Sequence, residues 1–480
     1  MCAASLVWFR LDLRLRDHPA LCAAAARGGG VTALFVLPPE GDQAWIGGAA
    51  SRWWLHHSLV ALSKTVADRG GRLVLRRGET AEQVADVARQ CGADTVFCHR
   101  IVDPEEESRL GRVRAALEKC GVRLRVFAPN LLAEPGKVMN RSGEPFKVFT
   151  PFHKAVRQIP VADPVPVPAC LDGPWRAVDS LALEALELLP RHDWAAGLRD
   201  CWMPGEAGAE RNAQTFLEGS VGRYPEDRDV PGVTGTSRIS PHLHFGEVSA
   251  RTLFHEASLH MEAAGGAGVL RGGEAWLRQL YWREFAHHLL FHYPHLTHAP
   301  MRAEFAVFPW RNDAELLDAW RRGRTGYPMV DAGMRELWRT GWMHNRVRMV
   351  VASFLVKHLL QPWQDGAAWF TDTLVDADLA NNTLGWQWTA GCGPDATPYF
   401  RVFNPALQGE RFDADGAYVR RWVPELARLD AKHLHAPWDA PPEKLREAGV
   451  VPGRDYPPPT VEHAGARQRA LLAYERVRRA

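Results

Sequence analysis

Ile159-Pro160-Val161-Ala162-Asp163-Pro164-Val165-Pro166-Val167-Pro168 can continue neither a helix nor a central strand, because each proline lacks an amide hydrogen and fixes its own φ. The stretch marks a linker, and the chain reads differently on its two sides. Toward the N-terminus, short apolar runs at 6–9, 31–37, 73–75, 95–98 and 124–127 alternate with segments of helical periodicity at 51–69, 81–91 and 105–120. This alternation predicts a parallel sheet with helices on both faces, a doubly wound, Rossmann-like α/β domain. From about Trp194 onward the alternation fades, and helical patterns at 275–293, 314–322, 329–338, 345–360 and 464–480 predict an all-α domain. The expected division is an α/β domain over 1–130, a linker region over 131–195 and a helical domain over 196–480.

A chain of 480 residues exceeds the usual size of one core, which agrees with two domains. With 46% hydrophobic and 24% charged residues it reads as an ordinary soluble globular protein. A net charge of +2 excludes whole-molecule attraction to nucleic acid, so DNA affinity must come from a local basic patch. Met1-Cys2-Ala3-Ala4-Ser5 lacks a basic leader and no apolar stretch is long enough to cross a bilayer, so a cytoplasmic location and no membrane contact are expected. The 8 cysteines (Cys2, Cys22, Cys91, Cys98, Cys120, Cys170, Cys201 and Cys392) form no Cys-x-x-Cys pair, so reduced thiols and no metal centre are expected. No G-x-G-x-x-G follows the first strand, and Gly28-Gly29-Gly30 precedes the second, where glycine ends a helix more often than it cradles a phosphate.

The chemistry-bearing residues crowd into Gly341-Trp342-Met343-His344-Asn345-Arg346-Val347-Arg348-Met349 and Asp376-Ala377-Asp378-Leu379-Ala380-Asn381-Asn382-Thr383-Leu384-Gly385-Trp386-Gln387-Trp388. Tryptophans, amides, arginines and acids in such density suit a planar cofactor beside a polyanion. Trp386 and Trp388 read as alternate positions of an irregular Gly-rich loop, facing opposite ways. Gly235-Thr236-Ser237-Arg238-Ile239-Ser240-Pro241 offers hydroxyls and backbone N–H groups ahead of a helix, as a phosphate needs or as a plain N-cap would supply. Tyr224 upstream and Asp376-Ala377-Asp378 downstream favour a dinucleotide. Arg278, Arg283, Arg321, Arg322, Arg324, Arg335, Arg339 and Arg346, interleaved with Trp276, Trp282 and Trp338, suit a nucleic-acid backbone with an unstacked base.

Together these residues resemble the DNA photolyase and cryptochrome family, most closely the bacterial class I cyclobutane pyrimidine dimer photolyases. The likeness begins at Val7-Trp8-Phe9-Arg10-Leu11-Asp12-Leu13-Arg14 and continues through Trp282-Arg283-Glu284-Phe285, Gly326-Tyr327-Pro328-Met329-Val330-Asp331 and Phe403-Asn404-Pro405-Ala406-Leu407-Gln408-Gly409. The resemblance implies a flavoprotein that repairs UV-damaged DNA, with FAD in the helical domain and an antenna in the α/β domain; a monomer is expected, because binding one lesion needs no second copy. It implies FAD contacts at Tyr224, Thr236, Ser237, Arg238, Ile239, Ser240, Trp276, Asn345, Arg348, Asp376, Ala377 and Asp378, with Asn382 facing flavin N5. Lesion or DNA contacts are implied at Arg228, Gln279, Trp282, Arg283, Asn345, Arg346, Met349, Trp388 and Gln408, and an electron chain through Trp386, Trp363 and Trp310.

One position departs from the family pattern. Gln279 stands where many dimer photolyases have glutamate, and glutamine there resembles the (6-4) photoproduct enzymes, whereas His344-Asn345-Arg346 is the dimer-type pattern. Asn382, where plant cryptochromes carry an acid, favours repair over a blue-light photoreceptor. The expected antenna is 5,10-methenyltetrahydrofolate, with 8-hydroxy-5-deazaflavin as the alternative; Glu105 and Glu106 read either as folate contacts or as a solvated acidic helix start, and Trp53-Trp54 either as a stacking platform or as part of an amphipathic core helix.

Overall fold

All five apolar runs of the N-terminal half form strands: β1 (Ala4–Phe9), β2 (Val31–Leu37), β3 (Leu73–Arg77), β4 (Ala93–His99) and β5 (Arg123–Phe127). The computed structural model describes residues 4–39, 47–396, 398–399 and 401–479, so the Cys2 thiol lies outside the described residues. All pairings are parallel, in the order β3-β2-β1-β4-β5, with Val7 in register with Ala33 on one side and Phe97 on the other. Strand order reverses beside β1, which is the doubly wound pattern expected. Helices α1 (Pro19–Ala25), α2 (Ala49–Ala67), α3 (Thr80–Gln90) and α4 (Pro104–Lys119) link successive strands.

β1 and β2 are buried along their whole length because both sheet faces are covered. Trp8, Leu34, Val74, Val84, Val96, Val113 and Leu117 make the core of one face. Each such aliphatic side chain contributes about 1.5–3 kcal/mol through burial. β5, at the edge, keeps Arg123 and Arg125 exposed, which discourages further strand pairing. α4 starts where its sequence says it should: Asp103 accepts from the Glu105 and Glu106 amides, and Pro104 occupies the first turn.

The chain divides into two compact units, the first Met1–Gly219 with Ser237–Pro294 and Val375–Asp378, the second Ser220–Thr236 with His295–Leu374 and Leu379–Ala480. The proline-rich segment forms no helix or strand and is tied to the first unit, with the Val165 amide donating to Asp17 (2.9 Å) and the Cys22 thiol to the Pro166 carbonyl (3.1 Å). Gly28, at φ +74°, donates to the Ala25 carbonyl and ends α1, as a helix-terminating glycine should.

The second unit contains no strand among its described residues. The segment read as one helix over 345–360 is α-helical only over Asn345–Ser353 and continues as a π turn over Phe354–His358. The wider turn aims two buried polar side chains at partners: Lys357 donates to the Arg401 carbonyl (2.9 Å) and His358 meets His463 (2.9 Å). Burial lowers the Lys357 ammonium to about 7.

Candidate functional site

In the first unit the segment after Thr236 does not behave as a plain cap. The short helix Ser240–His244 has Ile239 at its N-cap position with no side-chain capping bond. The hydroxyls turn elsewhere: Ser240 donates to Asp376 (2.6 Å), and Ser237 accepts from the Trp276 indole N–H (3.1 Å). Between them Arg238 takes φ +51°, a left-handed conformation costly for a side-chain-bearing residue, and lays its guanidinium over Trp202 at 4.3 Å. Ile239 and Ala377 are buried. Asp378 Oδ2 meets His287 Nε2 at 3.3 Å and His244 at 4.0 Å. Burial opposes the charge on Asp378, but His287, His244 and Arg283 outweigh it and hold this carboxyl well below the usual range.

The long helix Ala267–His292 carries Trp276, Gln279, Trp282, Arg283 and His287, so one element places five of these side chains. Gln279 donates to the Ala275 carbonyl (3.0 Å). Trp282 is stacked on Phe149, centroids 3.6 Å apart and planes at 6°, so one indole face is covered. Arg283 donates to the Asn130 carbonyl (2.7 Å), with its side chain 13% exposed. The half-buried backbone of 130–133 runs beside the helix and needs partners, and Glu284 accepts from the Leu132 and Ala133 amides for the same purpose.

In the second unit Asp229 gathers two of the expected DNA contacts, bonding Arg346 at 2.7 Å and lying 4.0 Å from Arg228. Arg228 sits over the buried Tyr224 ring (5.3 Å) and Arg346 over Phe412 (4.3 Å), on the helix Pro405–Phe412 that carries Gln408. Asp229 and Phe412 belong to no motif in the sequence reading; the neighbouring Arg228 was the one available signal for Asp229. Asn345 is exposed at the start of its helix, Met349 is half-buried, and Arg348 donates to the Met343 carbonyl at 2.8 Å. Asn382 directs both amide hydrogens to protein acceptors, the Ala367 carbonyl (3.0 Å) and Thr371 hydroxyl (3.1 Å). Its carbonyl oxygen is the end left for a donor.

Trp386 and Trp388 do not lie in an irregular loop; Leu379–Ala390 is a helix. At 3.6 residues per turn two positions apart still point in nearly opposite directions, so Trp386 is 2% exposed while Trp388 is half-buried. The Trp386 ring lies 5.0 Å from Phe370 and 6.2 Å from Trp320, and a Cβ on Gly366 would run into it. Gly366 is one turn into the helix Trp363–Thr373, so the indole rests on the first turn of the helix that Trp363 opens. Trp310 is half-buried, 4.2 Å from Phe308. Gly366→Ala should therefore displace Trp386 and lower stability by about 1–3 kcal/mol; urea unfolding with indole fluorescence checks both effects.

The features expected to hold an antenna are occupied by other contacts. Trp53 and Trp54 are 2% and 0% exposed, and Trp54 donates to Glu247 (3.0 Å). Glu106 is buried in ion pairs with Arg10 (2.8 Å) and Arg109. Among the described residues, Asp12, His18 and His99 lie close enough together to suggest a metal. Hydrogen bonding explains them better: His18 Nδ1 accepts from the Leu21 amide, so the ring proton is on Nε2 and points at Asp12 (3.1 Å).

The family described as DNA photolyase matches residues 5–169, and the FAD binding domain of DNA photolyase matches residues 276–476. A deoxyribodipyrimidine photo-lyase of Agrobacterium fabrum is 45% identical, covering 99% of this chain and 98% of its own length. Cryptochrome-1 of Arabidopsis thaliana is 39% identical over 98% of this chain and 70% of its own length. The crystal structure of a bacterial class III photolyase from Agrobacterium tumefaciens superposes with a TM-score of 0.95 at 44% identity, covering 100% of this chain and 98% of that one; its class differs from the class I likeness of the motifs. On sequence and structure together, the chain belongs to the DNA photolyase and cryptochrome family.

Proposed function

We propose that the chain is a light-driven deoxyribodipyrimidine photo-lyase that uses FAD to repair cyclobutane pyrimidine dimers in DNA. The observation that carries the reading is the pairing of a dinucleotide-type donor and acceptor set with a half-covered indole. In the first unit, hydroxyls at Ser237 and Ser240 with the buried Asp376 and half-buried Asp378 carboxylates suit FAD; in the second, the buried Trp386 Nε1 has no hydrogen-bond partner among the described residues. The proposed contacts are Ser237, Arg238, Ile239, Ser240, Trp276, Asp376, Ala377 and Asp378 in the first unit, and Tyr224, Thr236, Asn345, Arg348 and Asn382 in the second. Bound FAD supplies light-driven transfer of one electron to the lesion and its return once the ring has split.

The chain's own residues do the rest. The face of Trp282 not covered by Phe149 receives the extruded lesion, whose unstacking is cheap because the damaged bases stack poorly. Arg228 and Arg346, oriented through Asp229, hold phosphates and so fix the strand without reading its sequence. Gln279 offers hydrogen bonds to the lesion but no proton, and Trp388, Met349 and Gln408 complete the proposed contacts. A folate antenna remains the proposal ahead of a deazaflavin, at a place other than Trp53, Trp54 and Glu106.

The test is repair of two oligonucleotides, one with a cyclobutane thymine dimer and one with a (6-4) product, by reduced protein under blue light with a dark control. Light-dependent loss of the cyclobutane dimer alone is expected. Loss of the (6-4) product alone would trace specificity to Gln279, and repair of neither by FAD-loaded protein would favour the photoreceptor reading that the cryptochrome relative invites.

A further inference from the structure

Trp54 and Trp202 enter none of the contacts proposed above, yet Arg238, which does, is tied to them at both of its ends. One end is the side chain. Its guanidinium lies over the buried Trp202 ring at 4.3 Å, where the cation meets the negative face of the indole. The other end is the backbone carbonyl, which accepts from Asn212 Nδ2 at 3.5 Å.

Both ends lead back to Trp54. Asn212 Nδ2 also meets His242 Nε2 at 3.3 Å, and because an amide nitrogen only donates, the imidazole hydrogen is on Nδ1, facing Glu247 Oε2 at 2.5 Å. Glu247 Oε1 in turn accepts from the Trp54 indole N–H at 3.0 Å. The Trp54 ring then meets Trp202 edge to face, with centroids 5.4 Å apart and planes at 68°. The circuit is closed. Its members come from α2, the residue that ends the helix Ala196–Cys201, the helix Glu206–Gly219, the helix Ser240–His244 and the turn after it, all in the first unit.

The circuit holds a conformation that Arg238 would not keep by itself. At φ +51° its Cβ is crowded against its own backbone, and a chain without an anchor there relaxes to negative φ. Ile239 follows at φ −86° and ψ −10°. A left-handed residue beside a right-handed one turns successive N–H groups to one side, the arrangement that receives phosphate oxygens. Ser237 and Ile239, the neighbours of Arg238, are both proposed FAD contacts, so the handedness at 238 sets the direction of both. We propose that Trp202 is a positioning residue for FAD: its indole face anchors the Arg238 side chain and keeps the left-handed turn formed before the cofactor arrives. The inference rests on the FAD reading above. Without the anchor, apparent affinity falls by the fraction of molecules in which the turn has relaxed.

The experiment measures the FAD dissociation constant of the full chain in the dark, by the fluorescence of free flavin on dilution, in a double-mutant cycle on Trp202 and Arg238. Trp202→Leu, which stays apolar but has no π face, should weaken FAD binding about tenfold, the size of one desolvated cation–π contact. Trp202→Phe keeps an aromatic face and should recover most of that loss. In an Arg238→Met background there is no cation to anchor, so Trp202→Leu should add nothing. A packing role would give the same loss in both backgrounds; equal losses, or none in either, would overturn the role of Trp202. If Trp202→Leu does not fold, Arg238→Met alone tests the contact from its other side, and wild-type FAD affinity in that variant would overturn the role as well. Absence of FAD binding by wild type would overturn the flavin reading and this inference with it; that failure shows without any substitution, so the two are distinguishable.

Discussion

Trp386→Phe should largely abolish light-driven reduction of oxidised flavin while leaving lesion repair by chemically pre-reduced protein intact. Trp386 is 2% exposed, packed between Phe370 and Trp320 and resting on the helix that begins at Trp363. Phenylalanine fills most of the same volume but gives up an electron far less readily than indole. The substitution breaks no protein hydrogen bond, since the buried Nε1 has no partner among the described residues. Its stability cost should therefore stay near the roughly 1–3 kcal/mol of an ordinary buried truncation. Flavin absorbance during illumination measures the first effect and dimer repair after dithionite reduction the second. Equal photoreduction in mutant and wild type would mean that these indoles serve only to pack.

Asp331→Ala should be the most destabilising single change outside the proposed cofactor contacts, lowering stability by about 4 kcal/mol or more. Asp331 is 0% exposed and accepts four hydrogen bonds: from the Thr325 amide (2.7 Å) and hydroxyl (2.6 Å), the Gly326 amide (3.1 Å) and the Tyr456 hydroxyl (2.6 Å). Alanine leaves all four donors buried without this acceptor, and each such loss carries about 1–3 kcal/mol. Asp331→Asn retains one oxygen and should fall between the two. Urea unfolding of the full chain orders the three proteins; an alanine variant as stable as wild type would show that water replaces the carboxylate. Function should follow stability here, because the turn at Gly326 and Tyr327 launches the helix Pro328–Thr340, whose end delivers His344 to Met349.

The fold was largely legible because its signals are local. The strand runs of the first unit and the helices after Trp194 follow from hydrophobic period, and Asp103 with Pro104 announces α4 within three residues. The errors arose where two conformations share a local signal. Gly385 just before Trp386 suggests a loop, yet helix packing overrides one glycine, and the pattern over 345–360 could not show a π turn that exists to satisfy Lys357 and His358. Whether Trp53-Trp54 forms a platform or part of a core helix could not be read from residue type, because Glu247, the partner of Trp54, lies far along the chain.

Residue order alone was thus enough to establish a doubly wound sheet, a helical second half and the family, since these depend on periodicity and contiguous motifs. It could not show that Arg283 turns inward to Asn130, that Asp229 joins Arg228 to Arg346, or that Phe149 covers one face of Trp282. Nor could it show that Asp378 meets His287 and His244. Each of these is a pairing between segments distant in the chain. The orientation, burial and protonation of such groups come into existence only when folding removes water and brings the partner within reach.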